Sequence, residues 1–304
     1  MQKDSLIKKR ILIIGSNGML GQRLSKFYSE ASNVELLTSS AEDITFSPNI
    51  NYEKFDITDK KQVKKIIYSF YPDIIINTAA YTNVDKSEIE KELTWAVNVT
   101  GVELIAKYAS SIDARVIHIS TDYVFDGKSG PYDEKHIPNP IGYYGRSKLA
   151  GENALKCGNC DYTILRTNVL YGPAANGRPD FVKWVVNSLK ENQNIRIVTD
   201  QINNPTYIDD LVRAINKVQE YNKLGVYNIG GPEFLSRYDF TLRIAEYFKL
   251  DKNLITPILT EELKQNAKRP LNSGLIILKA ESEFGYKPLS IEDTFLLMKN
   301  EFKF

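Results

Sequence analysis

The first apolar run, Ile11-Leu12-Ile13-Ile14, is unbroken and stops at Gly15. Four consecutive branched side chains ahead of a glycine predict a strand buried on both faces. From Met19 the spacing changes: Leu20, Leu24, Phe27 and Tyr28 recur at helical intervals, which predicts a helix over 19–29. The two patterns then alternate. Further strands are predicted at 34–38, 51–55, 73–77, 115–120 and 162–166, and helices at 59–70, 93–111 and 144–155. Such an alternation predicts an α/β fold with a doubly wound parallel sheet, because each parallel pair needs a crossover and the usual crossover is a helix. Ligands in these sheets sit at the carboxyl ends of the strands.

After residue 168 the alternation weakens. Glycine and proline make 172–179 a loop, and a helix with Phe181, Trp184, Val185 and Leu189 follows. Next come a strand at 195–199, the turn Asn204-Pro205-Thr206, a helix at 209–221, a strand at 226–229 and helices at 237–248 and 261–265, with a less regular tail beyond.

Composition narrows the partners. The 304 residues carry 39 Lys+Arg against 38 Asp+Glu, interspersed, for a net charge of +1. No basic stripe is present to hold a phosphate backbone, so nucleic acid is not an expected partner. Lys3, Lys8, Lys9 and Arg10 precede the first apolar run, but that run is too short for a signal peptide or membrane span, and a cytoplasmic protein with no membrane partner is expected. Cys157 and Cys160 are spaced C-x-x-C. They lack further ligands at metal spacing, and a loop with reduced thiols is the simpler account.

The chemistry concentrates at the predicted strand ends. Gly15, Gly18 and Gly21 stand between the first strand and the first helix, in the context a dinucleotide-binding loop requires. Glycines let backbone approach a pyrophosphate, and the helix N-terminus offers free N–H groups and partial positive charge. Tyr144 and Lys148 lie four apart on one helical face, where an ammonium would lower the phenol's pKa toward a range useful for general acid catalysis. Asp56-Ile57, Asn77 to Thr82, Asn98 and Ser120 to Phe125 follow other strands. Singly, each has a structural reading: Asp56 as a helix cap, Ala79 and Ala80 as close packing, Asn98 as a solvated helix residue and Thr121 as a turn hydroxyl.

In order and spacing, these segments resemble the extended short-chain dehydrogenase/reductases and, among them, the dTDP-4-dehydrorhamnose reductases. The most specific stretches are Tyr81 to Glu88, Ser120 to Phe125 and Tyr144 to Glu152, and the likeness continues through Thr199 to Gln201, Asn204 to Thr206 and Arg269 to Ser273. The resemblance implies reduction of the 4-keto group of a nucleotide-linked deoxysugar, dTDP-4-dehydro-6-deoxy-L-mannose to dTDP-L-rhamnose. Tyr144 would deliver the proton, Thr121 would polarise the carbonyl, and Lys148 would hold the nicotinamide ribose. Cofactor contacts are implied for Gly15, Asn17, Gly18, Met19, Leu20, Gly21, Ser39, Asp56, Ile57, Ala79, Ala80, Tyr81 and Asn98. Substrate contacts are implied for Thr82, Val84, Thr121, Asp122, Tyr123, Asn168, Val169 and Arg269.

The implied architecture is a dinucleotide-binding domain over 1–168, rejoined by 199–230, and a smaller discontinuous C-terminal substrate lobe from 169–198 and 231–304. The second strand ends in Thr38-Ser39-Ser40, without the carboxylate that usually holds a free ribose 2′-hydroxyl. NADPH is therefore expected, with NADH as the alternative because no arginine follows to clamp a phosphate. One position departs from the family: Val169 stands where the reductases typically carry a tryptophan that packs on the sugar, and Trp184 or Tyr171 is the candidate replacement. Two other functions fit the scaffold. The chain also resembles the regulatory beta subunit of methionine adenosyltransferase, which serves a partner enzyme, and nucleotide-sugar epimerases share the fold. A homodimer is compatible with the sequence.

Overall fold

The computed structural model describes residues 8–174, 176, 177 and 179–302. Lys3 of the N-terminal basic group and two positions of the 172–179 loop lie outside the described residues. At the centre is a six-stranded parallel sheet. Its strands are β1 (Lys9–Ile14), β2 (Val34–Ser39), β3 (Ile74–Asn77), β4 (Arg115–Thr121), β5 (Tyr162–Thr167) and an edge strand, Gly225–Ile229. From that edge the order runs Gly225–Ile229, β5, β4, β3, β1, β2. The chain leaves β1 to one side for β2 and returns to the other side for β3, so a crevice opens above β1 and β3 at the point where the winding reverses.

The unbroken apolar run has its expected cause. Ile11 and Ile13 face one core, Leu12 and Ile14 face the other, and all four are buried. Helix α1 (Met19–Ser29) and helix Ile208–Glu220 cover the first face through Leu24, Leu211 and Ile215. Helix α2 (Lys60–Phe70), helix Gly101–Ser110 and helix Tyr143–Cys157 cover the second through Val63, Ile66, Val102, Ile105 and Leu155. The Asp59 carboxylate starts α2 by accepting from the Lys61 and Gln62 N–H groups at 2.8 and 3.2 Å.

Four predicted elements differ. The 51–55 strand is an extended segment with a single parallel bridge, Thr38 to Tyr52. It meets β2 only at its last residues, so no ladder can grow. The 93–111 helix is a compound of Lys91–Trp95, a π-helical turn Ala96–Thr100 and Gly101–Ser110. The widened turn surrounds Asn98, whose side chain is spent on a neighbouring loop. The 261–265 helix is a 3-10 turn, Thr260–Leu263. The tail is more regular than expected, with helices Leu278–Phe284 and Ile291–Phe302. Ile291, Phe295 and Met298 follow helical spacing and are buried in the first core.

Short strands build the remainder. Ile195–Val198 pairs parallel with Ile255–Ile258, Leu170–Tyr171 with Thr206–Tyr207, and Ile202–Asn203 antiparallel with Leu235–Ser236. Among the described residues, no helix is long and apolar enough to cross a membrane.

Candidate active site

At the head of β1 the backbone does the shaping. Gly15 has φ +85°, and a Cβ there would lie 2.6 Å from the Ala79 nitrogen. A Cβ on Gly21 would sit 2.2 Å from the Gly15 carbonyl oxygen, so α1 packs against the loop only because that side chain is missing. The Gly15 and Ser16 N–H groups both donate to the Ser39 carbonyl, at 2.8 and 2.9 Å, which ties the loop to the end of β2. Helix α1 begins at Gly18 with no side-chain cap and no acidic residue in its first turn, leaving its N–H groups open to an anion.

Two cavities meet at this loop and share Gly18, Thr78 and Ala80. The larger, about 500 Å³, is lined by Met19, Leu20, Thr82, Val84, Thr121, Asp122, Tyr123, Tyr144, Lys148, Asn168 and Val169 among others. The smaller, about 280 Å³, is lined by Gly15, Asn17, Ser40, Glu42, Asp56, Ile57 and Ala79. Together they form one groove across the carboxyl ends of β1 to β5. An adenine dinucleotide fits this cradle: the small cavity would take the adenosine, the α1 N-terminus the phosphates, and the large cavity the nicotinamide beside Tyr144 and Lys148.

Several of the residues expected from the sequence direct their side chains elsewhere. The Ser39 hydroxyl is buried and donates to the Glu53 carbonyl at 2.5 Å. Asn98 is a clamp rather than a solvated residue: its oxygen accepts from the Tyr81 N–H at 2.8 Å, and its amide donates to the Tyr81 carbonyl at 3.1 Å and to the Ser147 hydroxyl at 3.0 Å. The Tyr81 phenol turns away to Glu90. Asn17 lines the small cavity but uses its side chain to hold the 42–46 loop, donating to the Ile44 carbonyl at 2.8 Å and accepting from the Phe46 N–H at 3.0 Å. Arg269 pairs with Asp85 at 2.7 Å and lines a neighbouring cavity with Asp126, Lys128 and Lys268. Neither candidate for the missing tryptophan takes its place. Tyr171 is buried with its hydroxyl against Thr294, and Trp184 is exposed beside Phe181. Val169 itself lines the large cavity.

With its hydroxyl bonded to Glu53, Ser39 is not among the residues that line the small cavity. The Glu42 carboxylate lines the small cavity, accepts from Asn17 at 3.3 Å, and is held below the usual carboxylate range chiefly by hydrogen bonding from Ser40. No lysine or arginine lines this cavity among the described residues. A carboxylate thus lines this cavity from the loop, three residues past the end of β2.

The reacting end is built from side chains. The Thr121 hydroxyl, at the tip of β4, donates to Asp122 Oδ1 at 3.0 Å and accepts from the Tyr123 N–H at 3.2 Å. Asp122 Oδ2 accepts from Ser273 at 2.5 Å. Burial lifts the Asp122 carboxyl to about 6, although both hydroxyls oppose the shift. Tyr144 packs edge-on against Tyr123 with ring centroids 5.7 Å apart. Burial raises its phenol well above the ordinary value and the Asp122 charge adds to this, while a hydrogen bond with Thr121 pulls the other way. This reverses the sequence expectation for the pair: Lys148 does not lower the Tyr144 pKa here. The Lys148 Nζ is instead bonded to the Ile119 carbonyl at 2.7 Å and stands 3.3 Å from His118 Nε2, and burial lowers it to about 8.

A buried ion pair fixes the helix that carries Tyr144 and Lys148. Glu152 accepts from Arg166 of β5 through two bonds, 2.9 and 2.7 Å, and from the Ser120 hydroxyl of β4 at 2.7 Å. Close packing completes the seat: a Cβ on Gly151 would lie 2.4 Å from the Asn98 carbonyl oxygen, and one on Gly145 would lie 2.1 Å from that of Tyr123. The roles of His118, Arg166 and Ser273 were not drawn from sequence. A signal existed for the first two, since a polar side chain inside a strand covered on both faces must find a partner.

A family model described as the RmlD substrate binding domain matches residues 9–303. The chain belongs to the RmlD substrate binding domain family. A dTDP-4-dehydrorhamnose reductase of Aggregatibacter actinomycetemcomitans is 36% identical over 291 residues, 92% of this chain and 94% of that protein. The crystal structure of dTDP-4-dehydrorhamnose reductase from Bacillus anthracis in complex with NADP superposes with a TM-score of 0.84 at 34% identity, covering 97% of this chain and 100% of the other. Methionine adenosyltransferase 2 subunit beta of Xenopus tropicalis is 32% identical over 279 residues, 90% of this chain and 82% of that protein. This member of the RmlD family thus shares nine-tenths or more of its length with both reductases and a protein named as a subunit of another enzyme.

Proposed function

We propose that the chain is an NADPH-dependent reductase of the 4-keto group of a nucleotide-linked deoxysugar, with dTDP-4-dehydro-6-deoxy-L-mannose as substrate and dTDP-L-rhamnose as product. The supporting observation is that Thr121, Tyr144 and Lys148 line one cavity that runs into the glycine loop. The 4-dehydrorhamnose reductase relatives point to the same substrate, and the complex of the Bacillus anthracis relative points to NADP. Glu42 at the ribose end suits a free 2′-hydroxyl, so NADH is a second cofactor for this chain.

A nicotinamide held beside Tyr144 and Lys148 would supply the hydride for the carbonyl carbon. The chain's own residues handle the oxygen. Thr121 and Tyr144 would hold it from one side, and the Tyr144 O–H would give its proton to the oxygen as the carbonyl π pair moves onto it, leaving an alcohol. A phenol held above its ordinary pKa stays protonated at neutral pH, which suits a donor in the reducing direction. Lys148 would hold the nicotinamide ribose. Segments 169–198 and 231–304 would form the lobe that holds the sugar nucleotide, with Val169 facing the sugar.

The test is to mix purified protein with NADPH and the dTDP-linked 4-keto sugar and follow cofactor absorbance. Oxidation is expected; none across a panel of nucleotide-linked 4-keto sugars would remove the reading. The second reading, a regulatory subunit, is favoured by the length shared with the Xenopus protein. It predicts a copurifying partner enzyme and no turnover.

A further inference from the structure

His118 is buried completely inside the sheet, below the helix that carries Tyr144 and Lys148. Its two ring nitrogens face different partners. Nδ1 is 3.1 Å from Asn77 Nδ2, and Nε2 is 3.3 Å from Lys148 Nζ. Asn77 cannot exchange its amide ends at no cost, because its oxygen accepts the Ala79 N–H at 3.1 Å. Its NH₂ group must therefore point at His118, and Nδ1 must accept. A neutral ring with Nδ1 as acceptor carries its hydrogen on Nε2. Burial keeps the ring neutral, and the nearby Lys148 charge acts in the same direction.

That hydrogen faces Lys148. An ammonium has three donors and no acceptor, so a charged Lys148 would meet the His118 N–H donor to donor. A neutral amine resolves the conflict, since its lone pair accepts from Nε2–H while one of its own hydrogens stays on the Ile119 carbonyl, 2.7 Å away. We infer that His118, held in one tautomer by Asn77, is a positioning residue that fixes Lys148 in place and weakens its hold on a proton.

Burial by itself already loosens the proton, and the surrounding charges do not add to that effect. Glu152, one turn along the same helix, favours the ammonium, but it is neutralised by Arg166 from β5. Tyr144 lies one turn back, with Asp122 after β4 beyond it. The helix over 101–110 adds no charge at the site, as its Glu103 and Lys107 are exposed. From β3 comes only the neutral Asn77. His118 is thus the ring in direct contact with the lysine Nζ, and the functional consequence, which rests on the proposed ribose-holding role of Lys148, is that its ammonium form is disfavoured by a donor facing it as well as by burial.

The experiment is an NMR titration of the lysine side-chain Cε and Nζ signals of the full chain, with Lys148 assigned by its loss in Lys148→Met. In the unaltered protein the Lys148 midpoint should lie at or below the value of about 8 that burial sets. Two variants remove the donor in different ways. His118→Gln offers a carbonyl oxygen at the position of Nε2, and Asn77→Asp draws the ring hydrogen to Nδ1 and leaves Nε2 as an acceptor. In each, the Lys148 midpoint should rise by about one unit, a tenfold change in proton affinity. His118→Phe, which offers neither donor nor acceptor, should move it less than His118→Gln. Melting curves confirm that a variant is folded, and the two chemically different variants guard against loss of either. An unchanged midpoint in the folded variants overturns the inference. The titration needs no substrate, so its failure is distinct from failure of the reductase reading. With turnover present, the limb of the kcat/KM profile that follows Lys148 should move by the same amount.

Discussion

The groove has two ends that are made differently. At the glycine end, backbone forms the surface: Gly15 and Gly21 matter for the side chains they lack, and the open N–H groups of α1 supply the charge. At the Tyr144 end, side chains form it, and the ionisable groups there are shifted by burial. The first kind of site tolerates no added atom. The second tolerates little change in charge or proton count, because each polar group is the partner of another.

The comparison can be broken most sharply at the proton donor. Tyr144→Phe removes one oxygen and should cut turnover by about 10²- to 10⁴-fold while cofactor affinity stays within a factor of a few, measured by steady-state kinetics and cofactor titration. Equal loss in both would mean that the phenol holds the groove together. Next is the buried pair under the same helix. Arg166→Met leaves Glu152 buried without its partner and should cost about 3–5 kcal/mol in denaturant unfolding, more than removing both charges together. Pairing holds the Glu152 carboxyl below its ordinary pKa against burial. Its contribution to stability is therefore present above the unfolded carboxylate value of about 4.3 and is lost as pH falls through the lower folded value.

At the glycine end, Gly15→Ala combines a positive φ with a contact of 2.6 Å to the Ala79 nitrogen. About 1–3 kcal/mol of stability should go, and cofactor affinity should fall with it. A variant that binds cofactor normally would show that the loop is freer than its packing indicates. Smallest is Glu42→Gln, which removes the carboxylate that a 2′-phosphate would meet. The ratio of kcat/KM for NADPH over NADH should rise by about threefold to tenfold. No change would place Glu42 outside the ribose site.

The two ends were also unequally legible. The glycine spacing, the flanking strand and the helix could be read directly, because a tight turn and close backbone approach leave a local signature. Tyr144 and Lys148 could be read as a pair on one helical face. Their electrostatics could not: proximity in sequence suggested that the ammonium lowers the phenol pKa, whereas burial and Asp122 raise it and Lys148 is turned to Ile119 and His118. The end of β2 was misleading in a similar way. Ser39 closes the strand in sequence, yet its hydroxyl is directed inward, and Glu42 from the following loop is the group that lines the cavity.

The chain's linear order determined the parallel sheet, the position of the glycine turn and the residue types available at each strand end, because hydrophobic period and turn chemistry act over a few residues. The tertiary structure decided which of those residues face the groove and what charge they carry. Asn77 and His118 are 41 positions apart, and Ser273 reaches Asp122 across 151. Desolvation and hydrogen bonding depend on neighbours brought together by folding, so the tautomer of His118 and the proton affinities of Lys148, Asp122 and Tyr144 belong to the packed molecule.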